Sequence, residues 1–414
     1  MQFSHSLTVA CALAVMLSAT LNAIAGPARE AARPAIMGYG VTLNETEAQR
    51  LKDGGWTLIL SGEGDLDLLH QHGLRSLLRS GLLTPETLDD PAKRAELDEF
   101  IARVKDHPAL SMYWIVDEPN ASRFEALGRL LSYLRERDPA HPGYINLFPT
   151  YASNEQLGTQ GDVVTAYQEH VRRFIDEAHP DYLSYDHYHF AAGGLDRDQY
   201  FLNLALIRRA ALDSGLPFLN FIQACTWTRS MREPNSNELR FLTYTSLAYG
   251  ASALAHYTYS DRGPHTGCPV TAEGEATALW HGMKRSNHEF LAIREQLQPL
   301  TSLAAYHVGM IPPGATELPA DQPFTLDPPV ARTDYTPPEP LQGMLLGYFG
   351  RSNEPTHVVV VNLDYRRSAT TTVVGPGPLE VFNASRREWL PGSDGSRALL
   401  RLQPGGGMLL RLRR

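Results

Sequence analysis

Ser111-Met-Tyr-Trp-Ile-Val-Asp-Glu-Pro-Asn120 is a run of apolar, aromatic and β-branched residues that ends on two adjacent carboxylates and a proline. It has no polar alternation, so it reads as a strand buried on both faces, as in a parallel sheet. Asp117 and Glu118 then fall where such a strand emerges, at the carboxyl edge of the sheet. That is the edge at which α/β enzymes, and closed barrels above all, keep their chemistry. An acidic pair before a helix-starting proline also occurs on plain surfaces, where its charge favours a helix N-terminus. The buried aromatic strand directly before it turns the reading towards catalysis. A glutamate flanked by Trp114, Tyr113 and a second carboxylate is placed to have its pKa raised by desolvation and like charge, as a general acid requires.

Outward from this stretch, residues 35 to about 297 alternate short apolar runs with longer amphipathic ones, the pattern of repeated βα units. The predicted strands are Ala35–Tyr39, Trp56–Leu60, Leu74–Leu78, Met112–Val116, Tyr144–Leu147, Tyr182–Tyr185, Phe218–Ala224 and Ala251–Tyr257. Helical stretches between and after them include Asp90–Lys105, Arg123–Arg137, Val163–Ala178, Arg197–Ser214, Glu238–Tyr249 and Thr277–Gln296. Eight strands with right-handed crossovers close most simply into a (β/α)8 barrel, an α/β fold. Residues 310–340 are rich in proline and read as a linker or a long loop packed on the barrel. Short β-like runs punctuated by Gly, Pro, Asn and Asp follow, as in a small all-β antiparallel sandwich. The predicted organisation is a signal peptide over 1–25, a barrel over 26–302, a proline-rich segment over 303–342 and a sandwich over 343–414.

The signal peptide is read from the apolar segment Leu7 to Ile24 and from Ala23-Ile24-Ala25 before Gly26, a small-x-small cleavage pattern. It predicts a secreted or periplasmic protein cut after Ala25. No later stretch is long and apolar enough to span a membrane. A formal net charge of −9 argues against a nucleic-acid partner. Cys11 leaves with the signal, so Cys225 and Cys268 remain as an even pair in an oxidising compartment. They are either two separate buried thiols or a disulfide. The barrel reading sets them on neighbouring loops of one rim and so predicts the disulfide.

Three further clusters end predicted strands. Tyr182-Leu-Ser-Tyr-Asp-His-Tyr-His189 brings Asp186, with Tyr185, His187 and Tyr188, to the rim that carries Glu118. Asp186 reads as a second carboxylate or as a group that orients a substrate hydroxyl. No third set of suitably spaced ligands accompanies its histidines, so no metal is predicted. Phe221-Ile-Gln-Ala-Cys-Thr-Trp227 offers Gln223 as an amide and Trp227 as a platform for a pyranose face. Ala255-His-Tyr-Thr-Tyr-Ser-Asp261 offers Tyr257 and Tyr259, and Asn146 ends the fifth strand as a hydrogen-bond donor. There is no phosphate-loop spacing and no nucleophile elbow, and no cofactor is predicted.

Together these residues resemble the secreted (β/α)8-barrel glycoside hydrolases of the broad clan that includes β-galactosidases and cellulases. In that clan the acid/base glutamate lies at the end of strand four, where Glu118 falls. Gly250-Ala-Ser-Ala-Leu-Ala-His-Tyr257 looks like its eighth strand. Val359-Val-Val-Asn-Leu-Asp364 and Leu402-Gln-Pro-Gly-Gly-Gly-Met-Leu-Leu410 look like strands of the C-terminal β-sandwich that such enzymes frequently carry. This chain departs from the clan twice. Asp117 stands where the clan usually has Asn, and Gln223 where it has the nucleophilic Glu at the end of strand seven. An amide there cannot form the glycosyl-enzyme ester in the ordinary way.

The resemblance therefore implies a hydrolase of O-glycosidic bonds in an oligo- or polysaccharide. Glu118 would be general acid, Asp186 its carboxylate partner and Asp117 the charge that keeps Glu118 protonated. Asn146, Tyr185, His187, Tyr188, Gln223, Trp227, Tyr257 and Tyr259 would line the subsites. Two alternatives stay open at this point. One is a substrate-assisted β-N-acetylhexosaminidase-type enzyme working through the Asp117-Glu118 pair, and the other is a non-catalytic glycan-binding barrel.

Overall fold

All eight predicted barrel strands form, each a βα unit whose helix packs back on the sheet. The computed structural model describes residues 35–335 and 341–413, and the expected signal segment 1–25 lies outside them. The strands are β1 (Ala35–Gly38), β2 (Leu58–Ser61), β3 (Arg75–Arg79), β4 (Leu110–Asp117), β5 (Gly143–Asn146), β6 (Leu183–His187), β7 (Phe218–Gln223) and β8 (Ala253–Tyr257). The main helix after each is, in the same order, α1 (Glu45–Asp53), α2 (Leu66–Gln71), α3 (Pro91–Val104), α4 (Phe124–Arg137), α5 (Val163–Arg173), α6 (Tyr200–Ser214), α7 (Ser236–Ala248) and α8 (Ala278–Leu297). Their starts are written locally. Asn44, Asp90, Asp162, Asn235 and Thr277 each accept a hydrogen bond from a first-turn backbone N–H. The strand order β5-β4-β3-β2-β1-β8-β7-β6 is parallel throughout. Its two ends meet where Leu147 N donates to Ser184 O at 2.8 Å. The sheet is a barrel.

Two-residue periodicity sorts the strand side chains. Ala35, Met37, Leu58, Leu77, Met112, Tyr144, Tyr182, Leu219, Phe221, Ala253 and Ala255 fill the interior, with Tyr39, Trp114 and Tyr257 packed above them. Their outward neighbours, such as Ile36, Ile59, Leu78, Tyr113, Leu183, Tyr185, Ile222 and Leu254, belong to the larger core beneath the helices. Both faces are apolar, which is why the strands read as continuous hydrophobic runs.

After α8 come nine strands: β9 (Thr301–Gly309), β10 (Thr325–Asp327), β11 (Gly343–Arg351), β12 (Glu354–Asn362), β13 (Ala369–Val374), β14 (Leu379–Asn383), β15 (Glu388–Pro391), β16 (Arg397–Leu402) and β17 (Gly407–Leu412). With the two-residue strand Thr316–Glu317 they form a seven-stranded sheet, whose order from that strand is β9-β11-β12-β17-β14-β15, and a three-stranded sheet β10-β13-β16. Phe324, Leu346, Val358, Val360, Val373, Leu400 and Leu410 fill the space between the sheets. The alternate residues Leu345, Val359, Val361 and Leu409 join the barrel's helical core. The run Val358-Val-Val-Val361 is therefore buried on two sides by two different neighbours. Of the two expectations for 303–342, linker or packed loop, the described residues carry strand at Thr301–Gly309, Thr316–Glu317 and Thr325–Asp327 and irregular chain between. β9 pairs antiparallel with β11 along nearly its whole length and β10 pairs with β13, so prolines fill the gaps between strands that belong to the β-region.

At Gly347 the backbones of the two regions come together. A Cβ there would lie 2.2 Å from the backbone oxygen and 2.7 Å from the Cα of Ala248, at the end of α7. Backbone on both sides cannot yield cheaply, so Gly347→Ala is expected to destabilise the protein by about 1–3 kcal/mol, the usual cost of overpacking. Leu399→Ala, on a side chain half exposed to solvent, serves as the control and should stay within about 0.5 kcal/mol. Urea-unfolding midpoints of the two variants check this.

Candidate active site

β4 delivers the acidic pair through a local irregularity. Its register with β5 shifts between Trp114 and Val116, so Trp114 pairs with Tyr144 and Asp117 with Asn146. The chain then turns through Glu118 at φ +45°, a left-handed conformation that a branched or long side chain rarely adopts. The Glu118 N–H donates to Asn146 O at 2.8 Å, which holds the turn against the end of β5.

Below the pair runs a chain of hydrogen bonds. Tyr144 and Ser184 share one at 2.8 Å, Ser184 Oγ donates to Asn146 Oδ1 at 2.8 Å, and Asn146 Nδ2 donates to Asp117 Oδ1 at 3.0 Å. Asn146 thus acts on Asp117, and the tyrosine and serine beneath fix its amide orientation. Asp117 keeps solvent access but sits low among the side chains of the mouth. Those surroundings raise its pKa, opposed by the Asn146 bond.

Asp186 projects inward from β6, parity-matched to Tyr182 and Ser184. It is buried, and its carboxyl stands within interaction range of Glu118 and of Tyr188. One of its oxygens, Oδ1, has no partner. An ionised carboxylate with a bare buried oxygen is costly, so burial first, then the nearby Glu118 and Asp117 charges, push Asp186 well above the usual carboxylate range. Glu118 is raised to about 7, by desolvation first and the Asp117 charge second. Each carboxyl thus shifts the titration of the other.

Aromatic rings wall one side of the mouth. Tyr257 contacts Trp227 at 4.8 Å between ring centroids, Tyr39 at 5.4 Å and Tyr188 at 5.5 Å, and Tyr188 meets Trp227 at 4.6 Å. Trp114 stacks on Tyr144 at 5.1 Å. Of the residues predicted for the site, Glu118, Asp117, Asp186, Asn146, Tyr188, Trp227 and Tyr257 come together here.

Four others do not. Tyr185 and His187 have the opposite parity to Asp186 and point at the helices. Tyr185 is fully buried in the outer core, and His187 Nδ1 lies 3.0 Å from Asn203 Oδ1 of α6. Burial lowers the His187 pKa to about 3, so the ring stays neutral. Tyr259 is buried against Trp56 and donates to Glu47 of α1. Gln223 is buried and spent on the backbone. Its Oε1 accepts from Phe190 N at 2.9 Å, and its Nε2 donates to Arg232 O at 2.8 Å with longer contacts to the carbonyls of Phe190 and Cys225. It fastens the loop after β6 to the loop after β7 and offers substrate nothing.

The predicted disulfide is also absent. Cys225 and Cys268 meet on neighbouring loops but are both free and buried. The Cys268 thiol is hydrogen-bonded to Cys225, which together with burial holds its pKa well above the usual thiol range, and Cys225 Sγ donates to Tyr257 O at 3.5 Å. The two side chains thus lie together without a covalent bond.

Sequence reading missed Tyr39, Tyr144, Ser184 and Arg79. Tyr39 and Arg79 carried a usable signal, a polar group at the last position of an apolar strand. Tyr144 and Ser184 needed the parity of their strands. Among the described residues no group of three or more His, Cys, Asp or Glu is arranged to hold a metal. A cavity of about 910 Å³ lies elsewhere, at the amino-terminal ends of β2 and β3 beside α8, and none of the site residues borders it.

No family model matches this chain, and no curated protein matches it in sequence. Solved structures do. Gan42B, a GH42 β-galactosidase from G. stearothermophilus, aligns over 92% of this chain and 100% of its own at 10% identity and a TM-score of 0.57. The chain spans 63% of the β-galactosidase from the psychrophilic Marinomonas ef1 (67% of this chain, 11% identity, TM-score 0.48). It spans 58% of that from Rahnella sp. R3 (67% of this chain, 12% identity, TM-score 0.47). At 10% identity the likeness to Gan42B establishes the fold, a (β/α)8 barrel followed by an antiparallel β-region.

Two outcomes test this geometry. Gln223→Glu places a carboxylate against three carbonyl oxygens, so it should cost at least about 1–3 kcal/mol in chemical unfolding and supply no new nucleophile. For Glu118 the folded pKa of about 7 exceeds the ordinary 4.5, so folding stability falls as pH rises through that window. Glu118→Gln removes the penalty. Its melting temperature should exceed that of the unsubstituted protein above pH 7 and match it near pH 4.

Proposed function

We propose that the protein is an exported glycoside hydrolase in which Glu118 is the general acid. The observation that carries this reading is Glu118, its pKa raised to about 7, set beside Asp117 and the buried Asp186 at the mouth of a (β/α)8 barrel. A carboxyl with a pKa near the working pH is protonated often enough to donate and acidic enough to do so readily. Asp186 is the carboxylate partner in a specific sense: buried and proton-rich, it keeps a proton within reach of Glu118. Asp117, oriented by Asn146, adds the like charge that disfavours ionised Glu118. Tyr188, Trp227 and Tyr257 present ring faces and edges to a sugar. Export rests on the sequence of residues 1–25 alone.

The same arrangement favours a second reading over an Asp186 nucleophile. With Asp186 buried and held protonated beside Glu118, a mechanism that needs no separate protein nucleophile gains weight. In the substrate-assisted form, Asp117 would orient a 2-acetamido group while Glu118 protonates the leaving oxygen. A thiazoline-type inhibitor, and a strict requirement for the 2-acetamido group, separate the two.

Glu118→Gln is expected to lower kcat/KM on an unactivated glycoside by about 100–10,000-fold with its circular dichroism unchanged. The unsubstituted enzyme should lose activity as pH rises through about 7, because the acid must be protonated to act. Near-full turnover by the glutamine variant overturns the assignment.

A further inference from the structure

The mouth is electrostatically lopsided. Its carboxyls, Asp117, Glu118 and Asp186, stand on β4 and β6. On the other side, Arg79 ends β3 in register with Trp114, which in turn pairs with Tyr144, so Arg79 shares the inward parity of both rings. Arg262 reaches back from the loop after β8. Its guanidinium lies 3.7 Å from where a Cβ on Gly40 would stand, directly after Tyr39. Tyr39 sits between the two sides, within electrostatic reach of Asp117, Arg262 and Arg79. Both arginines are exposed, and among the described residues neither has a hydrogen bond or an ion pair from its side chain. Many of this chain's arginines do, as Arg103 with Glu63, Arg173 with Glu177 and Arg232 with Glu238 show. Two unpaired guanidinium groups over one tyrosine are suited to a planar or tetrahedral oxyanion, which accepts several of their donors at once.

We infer that the β1–β3–β8 side of the mouth is an anion subsite, where Arg79 and Arg262 hold the carboxylate or sulfate of an acidic sugar. The inference rests on the glycosidase reading and names its substrate class: a glycan bearing uronic acid or sulfate, with its neutral ring atoms against Tyr39 and Tyr257 and its scissile bond towards Glu118. The separation of charge also sets polarity, because an anionic group is repelled from the acid side and can enter only one way round.

The test uses the full chain carrying Glu118→Gln, which arrests turnover, titrated calorimetrically with tetragalacturonate, a sulfated carrageenan tetrasaccharide and neutral cellotetraose. One acidic tetrasaccharide should bind at least about 10-fold more tightly than the neutral one at low salt, and which one identifies the group held. Adding Arg79→Gln and Arg262→Gln should bring the preference close to parity, and Arg79→Lys alone should retain part of it. Matched melting curves confirm that these exposed substitutions leave the fold intact. Equal or better binding of the neutral sugar, failure of both acidic probes to bind, or a preference that survives the double substitution overturns the inference. Hydrolysis of neutral glycans by the unsubstituted enzyme in that case leaves the glycosidase reading standing. An arginine-dependent acidic preference in a protein that hydrolyses no glycan upholds the subsite and removes the glycosidase reading.

Discussion

The interaction between Glu118 and Asp186 joins strands that are not neighbours: β5 lies between β4 and β6. It therefore exists only because the sheet closes on itself and because both side chains have inward parity. Closure at Leu147 and Ser184 brings β6 up to β5, and Ser184 then steadies Asn146, which holds Asp117. Take away the contact at that seam and the three acids lose their common setting. The raised pKa values are a consequence of this arrangement. Asp186, buried, and Glu118, half-buried, stay partly protonated because the alternative is poorly compensated charge.

Such an arrangement is costly, and the surrounding structure supports it. Glu118 occupies a left-handed backbone position fastened to β5, and Asp186 leaves one oxygen bare. Behind the rim, the loop after β6 is secured by Gln223 and by Asp196. Asp196 accepts from Tyr365 of the β-region and lies 3.5 Å from Arg232, which pairs with Glu238 of α7. The β-region thus braces the loop that follows Asp186 as well as the helices. The amide at the end of β7 belongs to the same bracing, which accounts for its chemistry without any role in bond cleavage.

Much of this was legible in the chain. Strand positions followed from apolar runs, since strands buried on both faces leave little room for anything else. Asp117 and Glu118 were legible because two carboxylates and a proline directly after such a run are a local signal. Legibility failed wherever the answer depended on side-chain direction. Tyr185, Asp186 and His187 are adjacent in sequence, yet only Asp186 enters the mouth. Gln223 and Tyr259 end apolar strands as convincingly as Tyr257 does, but their partners lie on other loops and helices. The proline-rich stretch read as a linker because proline excludes regular structure only where it stands, and β9 and β10 lie outside the prolines.

The sequence by itself determined the repeated βα pattern, the β-rich tail and the strand end that carries Glu118, because period, punctuation and composition act over a few neighbouring residues. Only the tertiary structure decided that Asp186 stands beside Glu118, that Gln223 is a fastening, that Cys225 and Cys268 remain thiols, and that Arg79 and Arg262 lie near Tyr39. Each of these depends on contacts between residues far apart in the chain, and a linear pattern carries no information about which of two faces a closed sheet turns towards its own centre.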